Sequence, residues 1–193
     1  MTYQDDWKLQ IPGHADLRAL HEALRGELTQ RWSRSVPFAD ELFDRWERAR
    51  YLGFGEGSSV YDSCLVLGEV AVGENTWIGP FTVLDGKGGL TVGSDCNVSA
   101  GVQLYTHDTV AACLTGGQAA PAYAPVSIGD RTYLGPNAIV TRGVTVGSQC
   151  VIGAAALVNA DVPDRSIVFG VPGRVVGRVE VDGGDVRLIY DAS

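Results

Sequence analysis

Aliphatic residues recur at every sixth position over most of the chain, and no polar residue interrupts the series. Two extra residues follow Leu84, and a longer insertion separates Leu104 from Ile128. Glycine often follows the aliphatic residue, as expected where a short strand ends in a tight corner. This period predicts a parallel β-helix in which three short strands complete each coil. The aliphatic positions are Val60, Val66, Val72, Ile78, Leu84, Val92, Val98, Leu104, Ile128, Leu134, Val140, Val146, Ile152 and Val158.

Two other architectures fit the pattern less well. A β-sandwich would show turn signals every ~8 to 12 residues and a period-two alternation, and neither occurs here. A helical repeat is opposed by the density of β-branched residues and glycine. The repeats therefore predict an all-β fold class.

The residues before the repeats predict helices instead. Between Ala15 and Trp32, four leucines recur at three- and four-residue steps and form one apolar stripe. A second helical segment is predicted from Phe38 to Tyr51, beginning at Pro37. The four leucines of the stripe are Leu17, Leu20, Leu24 and Leu28.

These patterns divide the chain into three parts. Residues 1–52 form an N-terminal helical region, and residues 53–178 form the β-helix, with a long loop at 107–126. Residues 179–193 form a tail that resembles a hairpin, because apolar residues alternate on both sides of Asp-Gly-Gly-Asp. The tail is expected to cover the open end either of the coil or of the trimer.

Charge and cysteine content limit the partners and the compartment. The formal net charge is −8 and the basic residues are scattered, which argues against nucleic acid or an anionic membrane surface as a partner. No apolar run approaches the ~20 residues of a membrane-spanning helix. The four cysteines show neither CxxC nor CxxH spacing, and the N-terminus lacks the basic start and apolar run of a signal peptide. We therefore expect reduced thiols and a cytoplasmic protein.

Three stretches within the repeats carry a resemblance to a known family. They are VSAGVQLYTHD (98–108), APVSIGDRTYLGPNAIV (124–140) and VIGAAALVNADVPDRSIVFGVPGRVVG (151–177). The chain resembles the hexapeptide-repeat acyltransferases, in particular the galactoside, maltose and xenobiotic acetyltransferase branch. The resemblance implies a left-handed parallel β-helix and a homotrimer with active sites at subunit interfaces. It also implies acetyl-CoA as acyl donor. The expected acceptor is a hydroxyl or amino group of a sugar, a sugar nucleotide or another small metabolite.

His107 matches the family's catalytic histidine, and a base with a pKa near ambient pH suits removal of a proton from the attacking acceptor. Stacking of Leu84 beneath Leu104 predicts that Asp85 lies one coil below Tyr105. Asp85 would then bind the acceptor or orient the imidazole, although an Asp-Gly pair is also a common turn. Tyr105 and Asp108 are weaker candidates of the same kind as Asp85.

The resemblance also implies a donor site along the later coils. Small residues there would let backbone approach the pantetheine arm, and a guanidinium suits the nucleotide phosphates. Ala160 departs from the family pattern, since many relatives have a lysine beside those phosphates. The candidate donor-binding residues are Tyr133, Gly135, Pro136, Gly153, Ala154, Asn159 and Arg174.

Two other functions compete with this interpretation. A zinc-dependent carbonic anhydrase on this fold needs three histidines, and the coils contain only His107, so no metal site is expected. A β-helical scaffold or CoA-binding module without catalysis remains an alternative, because a fold alone does not establish activity. Ala160 favours the scaffold, whereas His107 and its following loop favour the acetyltransferase.

Overall fold

A computed structural model describes residues 11–191. Residues 1–10, to which the expectation about a signal peptide refers, and residues 192–193 lie outside the described part. Within residues 11–191, no helix combines the length and the apolar character needed to cross a membrane. The described chain begins with helices and continues as stacked short strands.

Three helices precede the strands: α1 (His14–Trp32), α2 (Phe38–Leu42) and α3 (Arg45–Tyr51). The prediction of one helical segment from Phe38 to Tyr51 was wrong at its centre. The backbone at Phe43 is extended, with φ −103° and ψ 136°, and this residue ends α2. The start after Pro37 agrees with the prediction, since Pro37 is the N-cap residue of α2.

The leucine stripe of α1 is only partly buried. Leu28 is buried, whereas Leu17 and Leu20 are 52% and 43% exposed. The helix has 19 residues and its neighbour α2 has five, so α2 is too short to cover the whole stripe. Amphipathic spacing therefore predicted the helix but not the burial of its apolar face.

The third helix belongs to the same compact unit as the strands. The chain separates into two units after Asp44, and α3 falls in the second. Arg48 explains the attachment, because its guanidinium donates hydrogen bonds to the carbonyl oxygens of Tyr61 and Cys64, the latter at 2.9 Å. It also lies 3.5 Å from the carboxylate of Asp62. The compact unit thus begins before residue 53, the first residue of the predicted β-helix.

Short strands and one further helix make up the rest of the described chain. The helix, α4, spans Val110–Leu114. The strands are β1 (Ser59–Val60), β2 (Leu65–Val72), β3 (Trp77–Ile78), β4 (Val83–Val92), β5 (Asn97–Val98), β6 (Gln103–Leu104), β7 (His107–Asp108), β8 (Ala122–Tyr123), β9 (Val126–Ile128), β10 (Tyr133–Leu134), β11 (Ile139–Val140), β12 (Thr145–Val146), β13 (Val151–Ile152), β14 (Leu157–Val158), β15 (Ser166–Phe169), β16 (Arg174–Asp182) and β17 (Asp185–Tyr190).

The strands stack in parallel on three faces of a prism. The first face contains β1, β3, β5, β10, β13 and β15. The second contains the beginnings of β2 and β4 followed by β6, β11 and β14. The third contains the ends of β2 and β4 followed by β9 and β12. This arrangement confirms the predicted parallel β-helix.

The repeating aliphatic residues form the core of the prism. Leu134 pairs in register with Ile152, and Val140 with Val158, so that each side chain lies on the equivalent one of the neighbouring coil. All members of the aliphatic series are buried except Val66, which is half-buried and packs against the others. Burial of such a side chain contributes about 1.5–3 kcal/mol, so the series stabilises the stack along its whole length.

The two extra residues after Leu84 widen one corner of the prism. Gly68 pairs with Gly86, and the next pair is Val70 with Leu90, so Glu69 lies opposite the three residues 87–89. Gly89 adopts a φ of +90°, which glycine tolerates and other residues rarely adopt. The result is a bulge between the second and third faces.

The C-terminal residues extend the first face. β16 and β17 pair antiparallel around a turn at Gly183 and Gly184, and β16 pairs antiparallel with β15. β16 begins at Arg174, five residues before the predicted tail. The last strand of the first face is therefore paired along the edge where the parallel stack ends.

Candidate active site

His107 lies at the corner between the second and third faces, where the chain leaves the coil. It begins β7, which pairs antiparallel with β8, and His107 is directly opposite Tyr123. The long loop therefore departs and returns as a two-stranded ribbon, with α4 at its far end. Pairing of the ribbon holds the backbone of His107 at the corner.

Asp85 makes a hydrogen bond to the His107 ring. Nδ1 of His107 lies 2.6 Å from Oδ2 of Asp85. The Asp85 side chain is 1% exposed, whereas that of His107 is 22% exposed. The carboxylate is thus enclosed on the inner side of the imidazole, and part of the ring faces solvent.

Backbone and hydroxyl groups complete the surroundings of the carboxylate. The N–H of Thr106 donates to Oδ2 at 2.9 Å, and the N–H of Lys87 donates to Oδ1 at 3.3 Å. The Thr106 hydroxyl lies 2.7 Å from the carbonyl oxygen of Asp85 and accepts a hydrogen bond from the N–H of Gly88 at 2.8 Å. These two N–H groups and Nδ1 of His107 therefore converge on one buried carboxylate.

These contacts determine the charge of Asp85. Burial by itself raises the pKa of Asp85, but the hydrogen bonds from His107, Thr106 and Lys87 outweigh it and hold the pKa below its usual value. An ionised carboxylate only accepts hydrogen bonds, so Nδ1 of His107 must donate. The lone pair of the neutral ring is then on Nε2, where it can take a proton from another molecule.

Tyr123 covers one face of the imidazole. The two ring centroids are 5.8 Å apart and the ring planes differ by 19°, which is a stacked arrangement. Tyr123 is itself 54% exposed. The histidine ring is therefore held from one edge by Asp85 and from one face by Tyr123.

The other two predicted acceptor-binding residues, Tyr105 and Asp108, already make hydrogen bonds within the chain. The Tyr105 hydroxyl donates to Oε1 of Gln103 at 2.7 Å. Asp108 forms an ion pair with Arg142 and accepts a hydrogen bond from the N–H of Val110. The bond from Arg142 is the main cause of the lowered pKa of Asp108. The ion pair between Asp108 and Arg142 therefore links the start of the loop to the neighbouring coil.

Sequence reasoning missed three residues that build the site. Thr106 and Tyr123 hold Asp85 and His107, and Arg142 holds the loop. Arg142 was within reach of the stacking argument, because Val140 pairs with Leu104 and therefore brings residue 142 near the start of the loop. The ring contact of Tyr123 depends on how the loop returns, which the repeat pattern does not specify.

The predicted donor-binding residues lie at a different corner from His107, with two exceptions. Asn159 follows β14 and lies at the corner of His107, two coils further along the stack. Arg174 begins β16, beyond the last parallel coil, and is exposed. The remaining five are at or beside the corner between the first and second faces: Tyr133, Gly135, Pro136, Gly153 and Ala154.

Contacts within the chain account for the two glycines of that group. A Cβ on Gly135 would lie 2.6 Å from the backbone nitrogen of Ala154. A Cβ on Gly153 would lie 2.1 Å from the ring of Phe169. Close stacking of successive coils therefore requires both glycines, independently of any ligand. Pro136 and Ala154 are exposed beside them.

The described side chains offer no cluster for a metal ion. Across residues 11–191, no group of three His, Cys, Asp or Glu side chains is arranged to bind one. The four cysteines are free thiols, of which Cys113 is exposed and the other three are buried.

Comparison with known proteins agrees with the six-residue repeats and the prism. The family model described as hexapeptide repeat of succinyl-transferase matches residues 69–106 and 125–160. Galactoside O-acetyltransferase of Escherichia coli K12 is 28% identical over 128 residues, which are 56% of this chain and 63% of the relative. The chain spans between 17 and 63% of the length of the first curated relatives that it matches.

Two solved structures share the fold over most of the chain. A galactoside acetyltransferase in complex with coenzyme A has a TM-score of 0.63 and 22% identity, and covers 87% of this chain and 83% of its own. A maltose O-acetyltransferase from Clostridium difficile 630 has a TM-score of 0.57 and 25% identity, covering 86% and 89%. The repeats identify the coil as a left-handed β-helix, which confirms the predicted fold class. The chain is thus similar to the hexapeptide-repeat acyltransferases in its repeats and in its fold.

Proposed function

We propose that the protein transfers an acetyl group from acetyl-CoA to a hydroxyl or amino group of a small-molecule acceptor. The observation that carries this proposal is the bond between His107 and the ionised Asp85, which leaves Nε2 of His107 as a proton acceptor at a partly exposed corner. Support also comes from the relatives named as O-acetyltransferases and from the fold match to a protein solved with coenzyme A.

The reaction is a direct transfer with His107 as general base. The acceptor oxygen or nitrogen attacks the thioester carbonyl while Nε2 of His107 takes its proton. The bond from carbon to oxygen or nitrogen forms, the bond from carbon to sulfur breaks, and the proton passes from His107 to the departing thiolate. Asp85 stabilises the imidazolium and keeps the ring in the reactive tautomer, so it is a positioning residue.

A homotrimer with the active site between subunits is part of the proposal. Within one chain, His107 and most of the candidate donor-binding residues occupy different corners of the prism. A neighbouring copy would bring the second corner against the first, so that the acyl donor lies between two chains. The candidates for donor contact are Tyr133, Gly135, Pro136, Gly153, Ala154, Asn159 and Arg174. We further propose that the protein acts in the cytoplasm, where acetyl-CoA is available and thiols stay reduced.

Thiol release from acetyl-CoA tests the activity. A panel of sugars, sugar nucleotides and amino alcohols is offered to the native protein, to His107→Ala and to the control His14→Ala, whose histidine lies on α1. We expect acceptor-dependent release that falls by about 100-fold or more in His107→Ala and stays unchanged in the control. Equal turnover in His107→Ala would exclude its role as base. Binding of CoA without turnover on any acceptor would instead support the scaffold alternative.

A further inference from the structure

The bulge beside the Asp85–His107 pair opens into a cavity of about 600 Å³. Four glycines line it together with Glu69, Lys87 and Tyr123. Lys87 also donates its N–H to Asp85, and Tyr123 stacks on His107. The cavity therefore shares two of its lining residues with the surroundings of the proposed base.

The cavity presents one positive and one negative side chain. Glu69 and Lys87 are both exposed and both line the cavity, and the Glu69 backbone lies opposite residues 87–89 in the pairing of β2 with β4. Within residues 11–191, neither side chain takes part in an ion pair. Asp85, the other carboxylate nearby, is buried and already accepts three hydrogen bonds. One ammonium and one carboxylate are thus available to a ligand.

We infer that this cavity binds the charged end of a zwitterionic acceptor, with Lys87 on its carboxylate and Glu69 on its ammonium group. The substrate class that fits is a small amino acid with a hydroxyl on its side chain. Glycines at the wall leave room for the main-chain groups of such a ligand. Its hydroxyl extends past Tyr123 to Nε2 of His107. This inference rests on the proposed function and specifies its acceptor.

A matched set of four ligands separates the two charges. L-Homoserine carries both charged groups, 3-aminopropan-1-ol lacks the carboxylate, 4-hydroxybutyrate lacks the ammonium group, and propan-1-ol lacks both. Binding is measured by titration calorimetry without a donor, with L-serine and L-threonine as further zwitterions. We expect L-homoserine or one of these two amino acids to bind more tightly than every analogue that lacks a charge.

Substitutions in the protein remove the side chains that would bind those two charged groups of the ligand. Lys87→Met should weaken binding of the zwitterion about 3- to 10-fold and abolish its advantage over 3-aminopropan-1-ol. Glu69→Gln should weaken binding of the zwitterion by a similar factor and abolish its advantage over 4-hydroxybutyrate. Arg50→Met and Glu74→Gln, which remove exposed charges elsewhere in the same unit, should leave binding unchanged.

Two results overturn the inference. One is that no hydroxy amino acid binds, and the other is that binding is equal in native protein, Lys87→Met and Glu69→Gln. Thiol release then distinguishes this failure from failure of the proposed function. If the protein acetylates neutral sugars and neither substitution changes that turnover, the inference is wrong but the proposed acetyltransferase activity stands. If binding depends on the two charges but no acceptor is acetylated, the inferred ligand class stands and the proposed transferase activity is wrong.

Discussion

Asp85 and His107 are 22 positions apart in the sequence, yet Oδ2 of one lies 2.6 Å from Nδ1 of the other. The contact exists because β4 and β6 are neighbours on the second face, with Leu84 paired to Leu104. Asp85 directly follows Leu84 within β4, and His107 comes three residues after Leu104, so both lie at the same corner. Stacking of adjacent coils thus brings the proposed base into contact with its positioning residue.

Replacing Asp85 by asparagine is expected to lower kcat by about 10- to 100-fold. The amide can donate to Nδ1, which favours the tautomer with its proton on Nε2 and so blocks proton abstraction. Steady-state kinetics over a range of pH provide the measurement. Asp95→Asn, at an exposed corner, is the matched control and should retain full activity. Equal activity in Asp85→Asn and native protein would argue against a positioning role.

Stability should depend on pH through Asp85. Its pKa in the folded protein is below the unfolded value of about 3.9, so the ionised form stabilises the fold above that pH. This contribution is lost as the pH falls through the folded-state pKa. Urea unfolding between pH 3 and 7 should therefore show that the advantage of native protein over Asp85→Asn decreases on acidification. A constant difference would mean that the Asp85 carboxyl has the same pKa in both states.

Gly153→Ala should lower the free energy of unfolding by about 1–3 kcal/mol. The added Cβ would lie 2.1 Å from the ring of Phe169, which packs directly over this glycine. Thermal or urea unfolding measures the loss, and Gly184→Ala is the control because its Cβ meets nothing within 4 Å. In the double variant with Phe169→Ala the two losses should not add, since removing the ring relieves the clash. Additive losses would contradict this explanation.

Thiol labelling of the folded protein should show one fast and three slow cysteines. Cys113 is exposed on α4, whereas Cys64, Cys96 and Cys150 are buried. Burial also raises the pKa of the Cys96 and Cys150 thiols, which lowers their reactive thiolate fraction. Cys113→Ser should abolish the fast phase and keep thiol release from acetyl-CoA, because the proposed transfer is direct. Loss of activity in Cys113→Ser would point to a covalent acyl-enzyme instead.

Local sequence was sufficient to predict the prism. A period of six is repeated with the same aliphatic and small residues, so each coil repeats the conformation of the previous one. Register then follows by counting, as in the pairing of Leu134 with Ile152. The same counting placed Asp85 near the corner of His107. It left open whether the carboxylate faced the acceptor or the imidazole.

Features outside the repeats depended on tertiary structure. The helical spacing of Leu17 and Leu20 predicted α1, but their exposure reflects how little of that helix α2 covers. The break at Phe43 likewise has no counterpart in the apolar pattern.

The sequence pattern therefore establishes the coil, its core and the position of His107, because all three depend on short-range repetition that each new coil reinforces. The orientation of the Asp85 carboxylate, the ring of Tyr123 over His107 and the ion pair between Asp108 and Arg142 are contacts between side chains far apart in the chain. They depend on the widened corner and on the path of the returning loop. Those irregular segments have no period from which their conformation can be read, so only the folded structure determines them.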